Sequence, residues 1–593
     1  MRFRRVLAVM PVMGALGAIP LVNPGLGADE LAVYPVAGTP TASPTTQISF
    51  RGAAAPLVVL VSGSQSGNHN GHVVSHSDGN GASFIPDSPF KAGETVTVKV
   101  TGHTLVGANS DGAVTFKIYT PVPGLKLTPN NDRGGTPRHS QHFRSEPKLL
   151  PPSIKVQYKK KGRAPGDLFT APKISRGQDG AMITTGKGQL IWFHRAPKGK
   201  SIYDFRTQQL DGQPVLTWWQ GKVLFAKGYG EGIVYDNTLR KIAKVKGANG
   251  YKPDLHEFQL GANGTAYTLA FQPVMYDVRS VTGASKPELA AVFDCIVQQI
   301  DIKTGLVEFE WHAIGNIPFK DSYARYFRGQ AAPYDPYHLN SVDPEPNGKL
   351  LISARNTNAG YELDPSTGNV LWTLGGKSST FNMGAGSSFI AQHDIRRRAD
   401  GDITVFDNGT GVAGAGARPA RGIVLHLDTG ADTATLVRKL KRRSKTNAPS
   451  QGNVQTLSNR NFFVGWGGSA PYMSEFDPTG NLIFDARFDP KDNNSYRSYK
   501  FPWSARPYFP PKLALQAVKG NKLKVYATWN GATDVRQWEV LAGSSPDSLT
   551  SVKTVFYNAY ETSTKIPNKY KYVAVRARAA DGSVLGTSAA VKK

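Results

Sequence analysis

Gln299-Ile300-Asp301-Ile302-Lys303-Thr304-Gly305-Leu306-Val307-Glu308-Phe309-Glu310-Trp311 reads as a strand, a tight turn from Asp to Gly, and a second strand. The plan recurs as Tyr361-Glu362-Leu363-Asp364-Pro365-Ser366-Thr367-Gly368-Asn369-Val370-Leu371-Trp372. It recurs again as Leu427-Asp428-Thr429-Gly430 and as Phe476-Asp477-Pro478-Thr479-Gly480-Asn481-Leu482-Ile483-Phe484. Asp and Gly serve the turn, and the apolar and aromatic flanks serve the strands. The four aspartates are 63, 64 and 49 residues apart, a period that marks a repeat architecture. A second element alternates with the first. His256 and His393 each stand eight residues before a glycine, Gly264 and Gly401, and a strand follows. His338 stands ten before Gly348, and Asn453 eight before Asn461. Two hairpins per unit make a propeller blade. Residues 180–240 hold strand for two more units, so the expectation is an all-β chain with a six-bladed β-propeller over 167–508.

Composition fits this reading. The 593 residues include 62 Gly and 40 Pro, which favours turns and strands over helix bundles. Charged residues make up only 19% and hydrophobic ones 40%, so the chain can bury sizeable cores. Cys295 is the sole cysteine, which excludes a disulfide framework and a cysteine-based metal cluster. Residues 1–28, with Arg2, Arg4 and Arg5 before an interrupted apolar run, predict a cleaved signal peptide and an extracytoplasmic mature protein. Residues 29–127 predict a small β-sandwich. His69, His72 and His76 there are read as a solvated loop, with a metal site as the alternative. Residues 128–166 are basic and rich in Pro and Gly, a linker or wrapping segment. Residues 511–593, with Trp529, Trp538 and Tyr572, resemble a fibronectin type III sandwich.

The repeat also places chemistry. The residue that opens the innermost strand of a blade faces the central channel. Three such residues are His256, His338 and His393, so three of only twelve histidines converge on one axis. They could hold zinc, bind an anion, or act as nucleophile and acid/base. Arg355 on the neighbouring strand favours an oxyanion, because a guanidinium repels a dication and forks onto tetrahedral oxygens. Asn340 lies two residues beyond His338, on the same strand face. Tyr334, Tyr337, Phe389 and Trp466 are candidates for the channel mouth, with blade packing the favoured reading of each.

Pro253-Asp254-Leu255-His256-Glu257-Phe258, Tyr337-His338-Leu339-Asn340-Ser341-Val342, Ile352-Ser353-Ala354-Arg355, Gln392-His393-Asp394 and Thr404-Val405-Phe406-Asp407-Asn408-Gly409 together resemble the arylsulfate sulfotransferase family over about 190–490. The resemblance implies a six-bladed propeller that moves a sulfuryl group from a phenolic sulfate ester to a phenol. His393 falls on the nucleophile that is transiently sulfated. His256, His338, Asn340 and Arg355 fall on the sulfate-binding set, with His338 or His256 as acid/base. No metal, nucleotide or other cofactor is implied. The family's better-known bacterial members have a nearby disulfide that a single-cysteine chain cannot form. Asp394, after the nucleophile, either orients His393 or satisfies the backbone.

The alternatives are an aryl sulfate hydrolase on the same site and a non-catalytic secreted binding or adhesion protein. The expected partners are an aryl sulfate donor and a phenolic acceptor. The net charge of +26 and the run Lys439, Lys441, Arg442, Arg443, Lys445 also suit an anionic cell envelope. Nucleic acid is not expected, because no module that binds it is present. Oligomeric state is not legible.

Overall fold

The computed structural model describes residues 29–125, 140–173, 177–410, 418–468, 470–489 and 491–593; the segment read as an export signal lies outside them. Strand accounts for 48% of the chain and helix for 2%, which makes the class all-β.

Six antiparallel sheets follow one another from Asp167 to Phe501. The second (201–245), third (258–312), fourth (339–375), fifth (393–440) and sixth (453–489) each contain four successive strands, laid down from the inside outwards. The first combines Asp167–Thr170, Gly180–Thr184 and Leu190–Arg195 with Ser498–Phe501 as its innermost strand. Apolar cores lie between neighbours. One joins Trp192 to Trp218, the next Trp219 to Phe258, the next Trp311 to Ile352, and then Leu351 to Ile423 and Phe406 to Trp466. The sixth joins Phe463 and Met473 back to Met182 and Phe193 of the first sheet. The sheets therefore form a closed, propeller-like ring.

The four aromatics weighed for the channel mouth pack inside these cores, the reading favoured for each. Tyr337 and Trp466 are fully buried, and Tyr334 and Phe389 nearly so. Tyr337 donates its hydroxyl to Ile317 O at 2.8 Å, and Trp466 its indole N–H to Ser474 at 2.9 Å. An aromatic near a strand start satisfies the inter-sheet packing before it satisfies a pore.

Within the segment read as a linker, Ser153–Lys159 is a strand on the outer edge of the sixth sheet, paired with Leu482–Asp489. Its run of lysines hid it, since an outermost strand exposes every second side chain. Thr120–Pro121 likewise adds to the third sheet.

Residues 29–118 form a five-stranded and a four-stranded sheet around a shared core that includes Phe50, Val98 and Phe116. This unit docks on the third sheet through Ser49, which donates to Val307 O at 2.6 Å. Residues 512–592 form a three-stranded sheet facing one of five strands, with Trp529, Trp538 and Val573 between. It abuts the first sheet at Gly531 (φ +97°), where a Cβ would stand 2.4 Å from Leu239 and 2.8 Å from Trp192.

His76 is not a solvated loop residue. It is buried beside Asp78 and Glu308, a constellation of metal-ligand type. The Arg51 guanidinium already lies against all three, so a cation fills the place a metal would take.

Candidate functional site

His256, His338 and His393 meet at one end of the ring. His256 and His338 have ring centroids 4.9 Å apart, and the Tyr496 ring lies 5.7 Å from His256 and 6.4 Å from His393. Phe271 closes the other side at 5.7 Å from both His256 and His338. Backbone geometry concentrates here: His338, Ala391, Asp394 and Gln451 all have positive φ without being glycine. Such residues are uncommon and persist where surrounding contacts over-determine them.

Each histidine is held by its Nδ1. That of His393 faces two oxygens, Asn408 Oδ1 at 2.8 Å and Ala391 O at 3.1 Å. The Asn408 amide cannot turn round, because its nitrogen donates to Ala448 O (2.7 Å) and Gln451 O (2.9 Å). Nδ1 therefore carries the proton. Nε2 carries a lone pair, which accepts from the Gln451 N–H at 3.1 Å. Burial first, and then the charge of Arg355, hold this imidazole well below its ordinary pKa, so it is neutral.

His256 donates from Nδ1 to Asp254, whose carboxylate also takes the His256 and Gly228 backbone N–H groups. His338 Nδ1 lies 2.6 Å from Asp335 and 3.1 Å from the Lys227 ammonium, which itself binds Asp335 at 2.6 Å. Burial and then Lys227 push His338 down to about 3, against the pull of Asp335. Both histidines therefore leave Nε2 available to a ligand.

Arg355 begins a 3-10 turn directly after the strand Leu350–Ala354, is half-buried, and is close enough to depress His393 electrostatically. Asn340 has a different task from its neighbours. Its amide donates to Gln392 O at 2.9 Å and accepts from Asp394 N at 3.3 Å, clipping the fourth sheet to both residues that flank His393. Asn453 does the same between the sixth sheet and Ser498. Both asparagines are thus inter-sheet clips.

Asp394 does not touch His393. It belongs to a buried plug beneath the histidines, in which Asp204, Glu257 and Asp394 face Arg206, Arg396 and Arg497. Glu257 accepts from Arg206 at 2.7 Å, from Arg497 at 3.1 Å, and from Arg396. Arg497, wholly buried, also reaches Asp204 at 3.0 Å and Asn340 O at 2.8 Å. Although burial works the other way, the three guanidinium groups hold the Glu257 carboxyl well below its ordinary range. The plug floors the site with fixed charges.

Lys173 was not found from the sequence. Its ammonium donates to Gln451 Oε1 at 3.1 Å and sits 4.1 Å above the Tyr203 ring, which adjoins Tyr496. Burial lowers it to about 7. A lysine lowered in the folded state holds its proton in the unfolded chain between about pH 7 and its ordinary value, so stability rises with pH across that window. Lys173→Met is expected to raise the apparent Tm at pH 6, by on the order of 3 kcal/mol of relieved penalty. The gain shrinks towards pH 10; a gain that is equal at both pH values in thermal scans would refute this.

Among known proteins, residues 206–489 match the family model described as Arylsulfotransferase (ASST). No curated protein matches the sequence significantly. Solved structures with partial likeness include Kuenenia stuttgartiensis hydrazine synthase, at 13% identity over 48% of this chain and 71% of that one, with a TM-score of 0.20. Another is the GH43 protein BlXynB from Bacillus licheniformis, at 7% identity over 66% of this chain and 89% of that one, with a TM-score of 0.27.

Proposed function

We propose, from the premise that this chain belongs to the arylsulfotransferase-like family, that it moves a sulfuryl group from a phenolic sulfate ester to a phenol through a sulfated His393. The observation that carries the reading is the state of His393: neutral, with its proton fixed on Nδ1 and its lone pair on Nε2. That is the form an imidazole needs in order to attack sulfur.

In the first step the Nε2 lone pair forms the N–S bond while the S–O bond to the phenol breaks. The electron pair leaves on the phenolate oxygen, which takes the Nε2 proton of a doubly protonated His256 whose Nδ1–H stays on Asp254. The Gln451 N–H, which holds the lone pair in the resting site, must yield for this to happen. The sulfated ring becomes cationic and keeps its Nδ1 proton on Asn408. In the second step His256 removes the proton of the incoming phenol, whose oxygen takes the sulfuryl group and returns His393 to its neutral form. His256 suits the proton transfer because Asp254 fixes its Nδ1–H, the arrangement that orients a histidine base. Arg355 and His338 hold the sulfuryl oxygens, where negative charge spreads in the transition state. Asn340 acts by positioning the His393 backbone.

In this reading the ring is a six-bladed β-propeller and the catalytic unit, and residues 511–593 are a fibronectin type III-like sandwich. The enzyme works outside the cytoplasm after signal cleavage.

Purified protein with p-nitrophenyl sulfate, a phenol acceptor and a chelator is expected to release p-nitrophenol and to form the acceptor sulfate, with ping-pong kinetics. Release without need for the acceptor would replace transfer by hydrolysis. No release across several aryl sulfates would overturn the reading. Asn408→Ala is expected to lower kcat about 10–100-fold with KM little changed, as when an orienting partner is lost. Ala391 O and the Gln451 N–H still hold the Nδ1–H tautomer in that variant, so the loss is one of ring orientation; a kcat within about twofold of wild type would contradict the role given to Asn408.

A further inference from the structure

The strand register of the fifth sheet sets His393 opposite Phe406, Asp407 opposite Arg421, and Gly422 opposite Leu440. The outermost strand therefore ends on the same face of the ring as His393, three strand spacings or roughly 14 Å away. A pocket of ≈ 370 Å³ opens there, lined by Arg418, Arg421, Lys439, Lys441, Arg443 and Lys445. That volume lies in the range of small-ligand sites.

The charges in this pocket are not balanced. Arg418 and Arg421 share Asp407 at 2.9 and 2.7 Å, and Arg442 pairs with Asp485 at 2.7 Å. Arg443 lies over the Tyr158 ring at 4.1 Å, which fixes its guanidinium at the rim. Among the described residues, no carboxylate pairs with Lys439, Lys441 or Lys445. Lys441, with smaller contributions from burial, Arg421 and Arg418, draws Lys439 below its ordinary lysine pKa. Lys439, Lys441, Arg443 and Lys445 are exposed, and all four line this one concavity.

We infer that this pocket is a second oxyanion site. It takes a sulfate or phosphate group carried on a molecule whose other end reaches His393. Convergent ammonium and guanidinium groups recognise such oxygens, and the shared face and separation place both groups on one ligand. The anion binding stands on the pocket alone; its use by substrate rests on the sulfuryl-transfer reading.

The test uses the full chain, a Lys439→Ala/Lys441→Ala/Lys445→Ala variant, and a control Lys519→Ala/Lys522→Ala/Lys569→Ala variant on the far sandwich. The probe is a bis-sulfate made of two phenyl sulfates joined by a spacer of matching length. Calorimetry in a His393→Ala background reads binding without turnover, so a failure of the chemistry does not mask it. The pocket variant is expected to bind the probe about tenfold more weakly, while the control variant does not. With His393 present, KM for the bis-sulfate rises about tenfold, and far more than KM for p-nitrophenyl sulfate. Equal weakening in both variants would overturn the proposal, as would a bis-sulfate bound no tighter than p-nitrophenyl sulfate. Capture of dextran sulfate by the pocket without tighter binding of the bis-sulfate would assign it to an anionic polymer instead, and also overturns it.

Discussion

His393→Ala is expected to lower aryl sulfate turnover by about four orders of magnitude or more, the scale seen when a covalent nucleophile is removed. The expectation follows from how much of the site is built around one ring. Asn408, Ala391 and Gln451 all bind it, and burial with Arg355 keeps it neutral. Arg355, His256 and His338 remain in the variant, so donor binding should survive better than turnover. Intact-protein mass after brief exposure to p-nitrophenyl sulfate should show one added sulfuryl group in the wild type and none in the variant. Because the histidine is buried, alanine leaves an amide oxygen and an N–H without partners. His393→Gln serves as a second variant that can still accept from Gln451. Full turnover in either folded variant, checked by circular dichroism, would remove His393 from the mechanism.

The second large effect concerns stability. Glu257→Gln preserves shape but deletes the charge that Arg206, Arg396 and Arg497 share. Breaking a buried ion pair by removing one partner costs about 3–5 kcal/mol, because the remaining charge is uncompensated. Here three guanidinium groups lose a common partner, with Asp204, Asp394 and, for Arg396, Asp343 left to serve them. A fall in apparent Tm of many degrees is expected, or a chain that is not recovered folded. Adding Arg206→Gln should restore part of the loss, since the charge excess is smaller. An apparent Tm within two or so degrees of wild type in the single variant would mean the plug is solvated or adaptable.

Much of this was legible from residue spacing, and the reasons are local. The Asp-to-Gly turns announce themselves because few residues make a tight turn between two apolar strands. His256, His338 and His393 could be placed together because they occupy the same position in a repeat. Asn340 and Arg355 came with them, although the hydrogen bonds that make Asn340 a clip depend on the adjoining sheet. What stayed hidden comes from outside the repeat position. Lys173 and Tyr496 reach the site from segments that flank the closing strand, and Asp204, Glu257 and Arg497 come from separate sheets. Asn408 had a signal, the Asp407-Asn408-Gly409 motif, but not a role until its amide was seen against His393. The aromatics near the channel were legible as blade packing, because an aromatic at a strand start has an inter-sheet core to fill, and Tyr334, Tyr337, Phe389 and Trp466 are buried there.

The pairing of Ser498–Phe501 with Asp167–Thr170 joins segments more than three hundred residues apart. During synthesis the first sheet must wait, with its inner edge unpaired, until nearly the whole ring has been made. Arg497 precedes that closing strand directly, so the segment that shuts the ring also delivers the last cation to Glu257 and Asp204. Nascent chains that lack it hold three acidic groups facing two arginines and an open circle of sheets. Maturation of the histidine cluster is therefore a late, concerted event, slow because its contacts span such long loops. A premature stop before Arg497 would leave no partially working catalyst, only an unclosed chain exposed to aggregation and proteolysis.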